Sequence, residues 1–401
     1  MQTRIAHEFS QTEAGKEADA ILRSCVHCGF CTAVCPTYKL LGDELDSPRG
    51  RIYLIKGLLE GEAVGEQTQL HLDRCLTCRA CETVCPSGVQ YARLADIGRV
   101  EIERRVSRSL LQRLLRRGIR WVVPSTEKFS LLLKLGRVLR PVLPDGLRKR
   151  IPLAKPAGTW PPARHARRVL IPVGCVQPEL EPGIDSALAR LLDAQGISVL
   201  PIVSGCCGAL SHHLAAEDEA LAYMKANIDA WWPYIEAGVE AIIITASGCG
   251  AMVHEYGYLL RHDSRYAQKA ARISALCHDP VELLENLPIP NVGHGRRVAF
   301  QSPCSLQHAL KLDGRVERVL SQAGFEVLPV EEAGVCCGSA GSYSILQPKL
   351  AGELRSRKLT NLQKHGPAII ATANIGCLTH LQVESEVPVT HWIQLLDGSQ
   401  A

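Results

Sequence analysis

Short apolar runs recur twice in the second half of the chain, and each is followed by a turn and then by residues with helical spacing. Strands that alternate with helices in this way form parallel sheets through right-handed crossovers. The pattern therefore predicts an α/β domain that is present in two copies. The predicted strands are 169–173, 199–203 and 241–246 in the first copy, and 297–301, 325–330 and 368–373 in the second.

A different pattern precedes these repeats. Apolar residues at helical spacing alternate with arginines from Leu110 to Val122, and a second apolar and basic segment runs from Phe129 to Val142. The region 99–168 holds 19 Lys or Arg against 4 Asp or Glu, whereas the whole chain has a net charge of only +4. We predict two basic amphipathic helices, followed by a proline-rich linker.

The basic segment has two interpretations. It can lie on an anionic membrane surface, with Trp121 at the interface. Alternatively, it is a linker helix or a docking surface for an acidic partner. No apolar run is long enough to span a membrane, and the polar stretch Met1–Ser10 does not resemble a signal peptide. We expect a cytoplasmic protein, with peripheral contact at the inner face of the membrane left open.

The chemistry of the N-terminal region lies in its cysteines. The spacing Cys-x2-Cys-x2-Cys-x3-Cys-Pro occurs twice, and helical patterning from Ile52 to Leu59 separates the two runs. This spacing is typical of a two-cluster ferredoxin, in which the fourth cysteine of each run binds the other run's cluster. We therefore predict an α-helical ferredoxin with two [4Fe–4S] clusters. The expected ligand sets are Cys25, Cys28, Cys31 and Cys85 for cluster 1, and Cys75, Cys78, Cys81 and Cys35 for cluster 2.

Two other uses of these cysteines fit less well. A tetrahedral zinc site needs four ligands, whereas eight cysteines arrive here in two matched groups, each closed by proline. A disulfide framework suits small secreted domains, whereas 401 residues can bury a core of their own.

The α/β repeats carry a second cysteine pattern, and its equivalent positions lie 128 to 130 residues apart. Because the carboxyl ends of parallel strands share one edge of a sheet, each repeat can gather four thiolates there. Gly208 and Gly338 can donate backbone N–H groups to them. Whether one or two further iron–sulfur clusters bind is left open. The sets are Cys175, Cys206, Cys207 and Cys249, and Cys304, Cys336, Cys337 and Cys377.

Three further positions bear on these sites. Met252 and His380 stand where the fullest form of this motif has a fifth cysteine, which argues against a catalytic disulfide-reducing cluster. His380 is better explained as a packing residue than as a ligand. Cys277 has no counterpart in the second repeat, and we interpret it as a small buried apolar residue.

The fold class that follows is multidomain, with an α-helical ferredoxin-type domain followed by two α/β domains with parallel sheets. No segment matches a dinucleotide-binding fingerprint, so substrate chemistry is expected on another chain and no catalytic residue on this one. The predicted divisions are 1–98 (ferredoxin), 99–166 (basic segment and linker), 167–290 and 291–401 (the two Cys-Cys-Gly, or CCG, domains).

Several stretches resemble the iron–sulfur subunits of bacterial glycolate oxidases, and the resemblance is weakest between about 100 and 165. It implies electron transfer from glycolate, oxidised on separate FAD-binding subunits, towards a quinone or quinone-linked acceptor. The equivalent subunit of a D-lactate or glycerol-3-phosphate dehydrogenase and a heterodisulfide-reductase-like catalytic subunit are the alternatives. No nucleic-acid partner is expected. The stretches are Cys25–Tyr38, Leu41–Asp46, Pro48–Lys56, Asp73–Cys78, Asn227–Pro233, Thr245–Ala251 and Thr372–Cys377.

Overall fold

The structure, a computed structural model, describes residues 1–397 apart from the side chain of Leu147. The regular structure of residues 1–105, all of which are described, is entirely helical, as predicted. Ser47 caps α5 by accepting a hydrogen bond from Gly50 N, and Pro48 begins the helix, where a missing N–H costs nothing. The helices are α1 (His7–Ser10), α2 (Glu13–Ser24), α3 (Phe30–Ala33), α4 (Pro36–Leu41), α5 (Pro48–Leu59), α6 (Glu66–Asp73), α7 (Ala80–Thr83) and α8 (Tyr91–Arg105).

The core of this region forms where α2, α5 and α8 meet. Leu22, Ile55, Leu58 and Leu94 are fully buried there. Burying a leucine or isoleucine side chain contributes about 1.5–3 kcal/mol each. This core holds the two cysteine runs, which lie at the ends of α2 and α6, against each other.

The basic segment forms the predicted helix pair, α9 (Leu110–Val122) and α10 (Thr126–Leu139), followed by the short α11 (Asp145–Arg148). Ser109 and Ser125 cap the two longer helices through their side chains. The predicted division at residue 98 falls inside α8, and the four-part division of the chain stays a prediction.

The first sheet has strand order β2-β1-β3-β4, and all its pairs are parallel. Its three predicted strands are present, and the third is shorter than predicted. The fourth strand was missed because only two residues form it. The elements are β1 (Arg167–Val173), α12 (Gln177–Leu180), α13 (Gly183–Asp193), β2 (Ile197–Val203), α14 (Ala209–His213), α15 (Glu217–Glu236), β3 (Ala241–Ile243), α16 (Ser247–His254), α17 (Tyr256–Leu259), α18 (Ala267–Leu276), β4 (Cys277–His278) and α19 (Pro280–Leu284).

The second sheet repeats this topology with strand order β6-β5-β7-β8, again entirely parallel. The duplicated parallel α/β fold is therefore confirmed. A π-helical turn at Ser305–Ala309 follows the first strand. The elements are β5 (Arg297–Gln301), α20 (Arg315–Gln322), β6 (Glu326–Leu328), α21 (Tyr343–Leu346), α22 (Pro348–Gln363), β7 (Ile369–Thr372), α23 (Ile375–Gln382), β8 (Val389–His391) and α24 (Trp392–Leu396).

The two α/β units share one hydrophobic core, which contains Val169 and Ile171 of the first sheet and Val298 and Phe300 of the second. The segments that follow their strands also meet. Ser247 N donates to Ala373 O at 3.2 Å, and His391 Nε2 lies 3.0 Å from Thr245 O. The carboxyl edges of the sheets, where the cysteines lie, are therefore fixed next to each other.

Charged contacts fix the helical region to both α/β units. Glu255, which directly follows α16, accepts from Arg79 Nη1 and from Arg93 Nη2, at 3.0 Å each. On the second unit, Lys39 Nζ lies 3.1 Å from Glu332 Oε1. All five side chains are partly buried. The three parts of the chain thus pack as one body around the cysteine-bearing loops.

Candidate functional site

Two cavities of the helical region are lined by the predicted cysteine quartets. Cys81 lies on the wall of both cavities, as do Pro48 and Tyr91. The quartets therefore draw on both runs, as the crossed arrangement requires. The first cavity is lined by Cys25, Cys28, Cys31 and Cys85, and the second by Cys35, Cys75, Cys78 and Cys81.

The two loops that carry the quartets have the same backbone conformation. His27 and Thr77 have φ of 55° and 54°, and Gly29 and Arg79 have φ of 86° and 62°. These left-handed residues sit at equivalent places in the two runs, directly before and after the second cysteine. Positive φ costs a non-glycine residue roughly 1–2 kcal/mol, so the surrounding structure must stabilise both loops in this conformation.

The mutual influence of the thiols follows the same grouping. Burial, together with the neighbouring Cys25, Cys28 and Cys85, raises the pKa of the Cys31 thiol to about 11. The pKa of Cys81 is raised by burial and by Cys78, Cys75 and Cys35. Four crowded thiols favour ionisation only where a cation compensates their charge, as the iron of a cluster does.

The second quartet has a cationic and hydrogen-bonding environment. Arg51, which is 1% exposed, points Nη1 at Cys35 Sγ, 4.0 Å away. Thr77 N and Tyr91 Oη donate to Cys75 Sγ at 3.4 and 3.6 Å. Arg99 donates to the carbonyl oxygen of Cys75 at 2.6 Å. Such donors stabilise thiolates and a reduced cluster.

Each α/β unit brings its four predicted cysteines together at the carboxyl edge of the sheet. In the first unit, neighbouring thiols shift one another's pKa in the order Cys175, Cys206, Cys207 and Cys249. In the second unit, the equivalent residues influence one another's pKa in the same order. These are Cys304, Cys336, Cys337 and Cys377.

The glycine of each CCG step has a defined role. Gly208 and Gly338 have φ of 87° and 90°, and their N–H groups donate to Cys206 Sγ and Cys336 Sγ at 3.4 Å each. A Cβ at Gly338 would lie 2.6 Å from the carbonyl oxygen of Ala351. Only glycine combines this conformation with such close packing.

One large cavity, about 610 Å³ in volume, connects the α/β sites to the second ferredoxin quartet. Its wall contains all eight CCG cysteines together with Cys75 and Cys78. Cys78 also packs in one apolar cluster with Cys304 and Cys336. The second quartet is therefore the one that faces the α/β units, whereas Cys28 of the first quartet is exposed.

The spacing of the sulfur atoms distinguishes between metals. A tetrahedral zinc ion with Zn–S bonds of about 2.3 Å needs sulfur atoms roughly 4 Å apart. Among the described residues, no group of three candidate ligand atoms within 4.8 Å of one another includes a cysteine. The sulfur atoms of the described residues therefore do not form the tight group that a single zinc ion needs.

The remaining predicted positions behave as expected. Cys277 is fully buried in β4, and the register of β4 and β8 makes Val389 its equivalent. His380 Nε2 lies 3.2 Å from the carbonyl oxygen of Ala351, and burial lowers the pKa of His380 to about 4. His380 thus packs against α22, and Met252 is buried in an apolar cluster.

Comparison with known proteins identifies the domain families to which these cysteine-bearing regions belong. Residues 21–89 match the 4Fe-4S dicluster domain, and residues 169–254 and 298–382 each match the cysteine-rich domain. The class is therefore a two-cluster ferredoxin joined to tandem cysteine-rich domains, an electron-transfer protein that carries two [4Fe–4S] clusters.

Full-length relatives narrow the class. The glycolate oxidase iron–sulfur subunit of Escherichia coli (strain K12) is 53% identical over 404 residues, which cover 99% of this chain and 98% of that protein. A probable glycolate oxidase iron–sulfur subunit of Bacillus subtilis (strain 168) is 30% identical over 96% of this chain and 92% of its own. Lactate utilization protein A of Geobacillus kaustophilus is 24% identical over 49% of this chain. The chain belongs to the family of glycolate oxidase iron–sulfur subunits.

Sequence reasoning missed the polar residues around the second quartet, namely Arg51, Arg99 and Tyr91. It also missed a histidine and aspartate pair, His212 and Asp96, that joins α14 to α8 with Nε2 and Oδ2 3.1 Å apart. These residues are far apart in sequence and belong to no motif. Arg51 lies in the stretch Pro48–Lys56, which carries part of the family resemblance, and this was the one available signal.

Proposed function

We propose that this chain conducts electrons from a flavin-bearing, hydroxy-acid-oxidising partner, with glycolate as the substrate, towards a quinone-linked acceptor. The observation that carries this proposal is the line of cysteine sites from a quartet with one exposed cysteine, Cys28, through a quartet of buried and partly buried cysteines, to the α/β edges. A [4Fe–4S] cluster supplies one-electron transfer, and the protein supplies position and electrostatics.

We assign the clusters as the sequence predicts. Cys25, Cys28, Cys31 and Cys85 would hold cluster 1, and Cys75, Cys78, Cys81 and Cys35 would hold cluster 2. The two shared cavities and the pKa influences within each quartet support this assignment. Each CCG quartet would hold a further cluster with four thiolate ligands. Iron and acid-labile sulfide analysis of anaerobically purified protein tests this, because about eight iron atoms per chain would leave both CCG quartets empty.

The surface around Cys28 is the proposed point of electron entry. Val26, Phe30 and Tyr53 are exposed there by 67%, 61% and 55%, which is unusual for large apolar side chains. Val26 and Phe30 also line the first cysteine cavity. A partner that covers this patch would bring its flavin close to cluster 1.

Purification of the complex with its partner subunits tests the substrate. Glycolate should reduce a one-electron dye through the complex, and D-lactate should do so more slowly. The isolated chain should reduce no dye with either acid, because it binds no substrate. Dye reduction by the isolated chain would contradict the proposed division of labour, and faster turnover with D-lactate would favour the alternative substrate.

We also propose peripheral membrane contact through α9 and α10. Large apolar residues on these helices face solvent, and Leu111 is 78% exposed. Arginine side chains turn towards the protein instead: Arg116 Nη2 lies 2.9 Å from Asp73 Oδ1, and Arg120 Nη1 lies 3.6 Å from Glu219 Oε2. The exposed apolar residues are Leu110, Leu111, Leu114, Leu115, Trp121, Leu131, Leu132, Leu135, Val138, Leu139 and Val142.

This orientation favours lipid over a purely charged partner, because the outward face is apolar and the exposed Arg113 and Arg117 flank it. Among the described residues, no helix is both long and apolar enough to cross a bilayer. Co-sedimentation with phosphatidylglycerol vesicles should be lost in Leu111→Glu with Leu114→Glu. If this double variant instead releases the flavin partner and still binds vesicles, the helices are a docking surface between subunits.

A further inference from the structure

The wall of the large cavity carries a titratable cluster beside the cysteines. Asp96 of α8 and His212 and His213 of α14 line it, together with the apolar Ile97 and Leu214. His212 Nε2 lies 3.1 Å from Asp96 Oδ2, and His213 Nδ1 lies 3.9 Å from Asp96 Oδ1. No described residue donates a hydrogen bond to Asp96 Oδ1, although this oxygen is buried. Arg99 Nη1 and His213 Nδ1 approach this oxygen only to 3.8 and 3.9 Å, so its capacity to accept a hydrogen bond is not filled.

This group of three side chains lies between two of the cysteine quartets that we propose to carry electrons. Arg99, which donates to the carbonyl oxygen of Cys75, also places Nη1 3.8 Å from Asp96 Oδ1 on the same helix. On the other side, α14 begins directly after Gly208 of the first CCG step. A group bound beside His212 would thus be close to the second ferredoxin quartet and to the first α/β quartet.

The electrostatics suit proton donation. Burial disfavours the protonated imidazole of His212, but the attraction and hydrogen bond of Asp96 outweigh it, so the pKa of His212 is raised. Glu217 acts in the same direction, and Arg99 opposes it. The carboxylate of Asp96 remains ionised, because its contacts with His212 and His213 overcome burial and lower its pKa. A protonated imidazole held by a carboxylate is a typical general acid.

A bound cation is the competing use of this cluster, since the three ligand atoms lie within 4.8 Å of one another. The guanidinium of Arg99 argues against it, because it already supplies positive charge at 3.8 Å from Asp96. Adding a metal ion there would place like charges side by side.

The cavity also reaches α9, the helix that carries part of the proposed membrane face. Arg116 and Val123, both at α9, line the same cavity. The exposed leucines of α9 lie on the outer side of that helix. The cavity therefore lies directly behind the helix that we propose to contact lipid.

We propose that this cavity binds the headgroup of a quinone and that His212, held by Asp96, is the proton donor in its reduction, an inference that rests on the proposed function. Conversion of the two carbonyl groups of the quinone to hydroxyls consumes two electrons and two protons. The electrons come singly along the chain from hydroxy-acid oxidation. One proton comes from the imidazolium of His212, and the second comes from solvent by way of the exposed His213. His212 is then reprotonated from solvent.

The test uses the cluster-loaded complex and two acceptors, a short-chain ubiquinone analogue and ferricyanide, which takes one electron and no proton. His212→Gln should slow glycolate-driven quinone reduction at least about tenfold and leave ferricyanide reduction unchanged. Asp96→Asn should act in the same direction. His165→Gln is the matched control, because His165 pairs with Asp193 at 2.9 Å outside the cavity. Cluster signals in electron paramagnetic resonance verify that each variant is intact.

A readout independent of turnover is photolabelling with an azidoquinone, which should mark the peptides that contain Asp96 or His212 and should be competed by the quinone analogue. Equal loss with both acceptors, or quinone reduction unaffected by His212→Gln, overturns the proposal. So does labelling confined to other peptides. If wild-type complex reduces ferricyanide with glycolate but never quinone, the inference fails and the proposed function stands. Absence of glycolate-driven ferricyanide reduction would instead contradict the proposed function.

Discussion

Replacement of Arg51 tests both the crossed ligand assignment and the electrostatics of the second quartet. Arg51 is buried within 4.0 Å of Cys35 Sγ, whereas the first quartet has no buried arginine against a sulfur atom among the described residues. Reduction adds one negative charge to a cluster. Removing a nearby positive charge should therefore lower the reduction potential of the cluster that Cys35 holds. The variant is Arg51→Gln.

The magnitude follows from the distance. At 4.0 Å and an effective dielectric constant near 20, two unit charges interact by about 4 kcal/mol. For a one-electron couple this corresponds to about 170 mV. The added electron is shared over the whole cluster and lies on average farther away than the sulfur, so we expect a fall of about 50–150 mV.

The fold should tolerate this change. Asp46 loses its 3.3 Å contact with Arg51 Nη2 but keeps Arg74 Nη1 at 2.8 Å and His71 Nδ1 at 3.1 Å. The buried carboxylate therefore keeps partners, and the cost should stay below the roughly 3–5 kcal/mol that an orphaned buried charge incurs. Thermal unfolding measures this cost.

The assay is a redox titration of the isolated, cluster-loaded chain, monitored by electron paramagnetic resonance. Arg104→Gln is the control, because Arg104 carries the same charge but is 68% exposed and pairs with Glu101 and Glu217. One cluster signal should shift in Arg51→Gln and neither should shift in Arg104→Gln. An unchanged or raised potential would refute the electrostatic argument. If Cys35→Ser destroys one cluster signal and Arg51→Gln shifts the other, Cys35 does not hold the cluster that Arg51 tunes.

Other predictions concern single positions. Cys31→Ser should abolish one ferredoxin cluster signal and stop electron flow to dye, while flavin reduction in the partner continues in stopped-flow; Cys277→Ala should leave both clusters intact. Gly338→Ala should lower the free energy of unfolding by about 2–4 kcal/mol in a denaturant titration, because its Cβ would clash with backbone. Gly341→Ala has positive φ but nothing within 4 Å, so it should cost about 1 kcal/mol. Burial raises the pKa of Asp185 to about 6. Between about pH 4 and 6 the native state therefore binds more protons than the unfolded chain, and the protein loses stability as the pH rises through this range. Asp185→Asn should remove up to about 3 kcal/mol of that loss, and equal pH profiles of both proteins would contradict this.

The sequence predicted what local pattern controls. Apolar runs located six strands, and arginine-leucine periodicity located α9 to the residue. The fourth strands, Cys277–His278 and Val389–His391, escaped because two or three residues carry no periodicity. They exist because a neighbouring strand supplies a parallel partner, which is a tertiary effect.

The cysteines of the candidate site were predicted from the sequence, whereas the residues around them were not. Cysteine spacing predicted the two ferredoxin quartets, because a [4Fe–4S] cluster imposes its own spacing on the chain, and the repeated α/β pattern predicted the two CCG quartets. Arg51, Asp96 and His212 could not be found, since their roles depend on contacts between segments 16 to 116 residues apart. Nor could the pattern of α9 show which face points outward. That depends on Asp73, which holds Arg116 against the protein.

The clamps between the three parts of the chain have a kinetic consequence. Glu255 forms ion pairs with Arg79 and Arg93, and Glu332 forms one with Lys39. Thr83 Oγ1 lies 3.0 Å from His308 Nδ1. A relay assembled from separate modules must wait for diffusive encounters or for a hinge to swing. Because its modules are fixed in place, this chain should transfer electrons internally at a rate that does not depend on solvent viscosity or protein concentration. Electron entry from the partner and electron exit to the acceptor should then limit the overall rate.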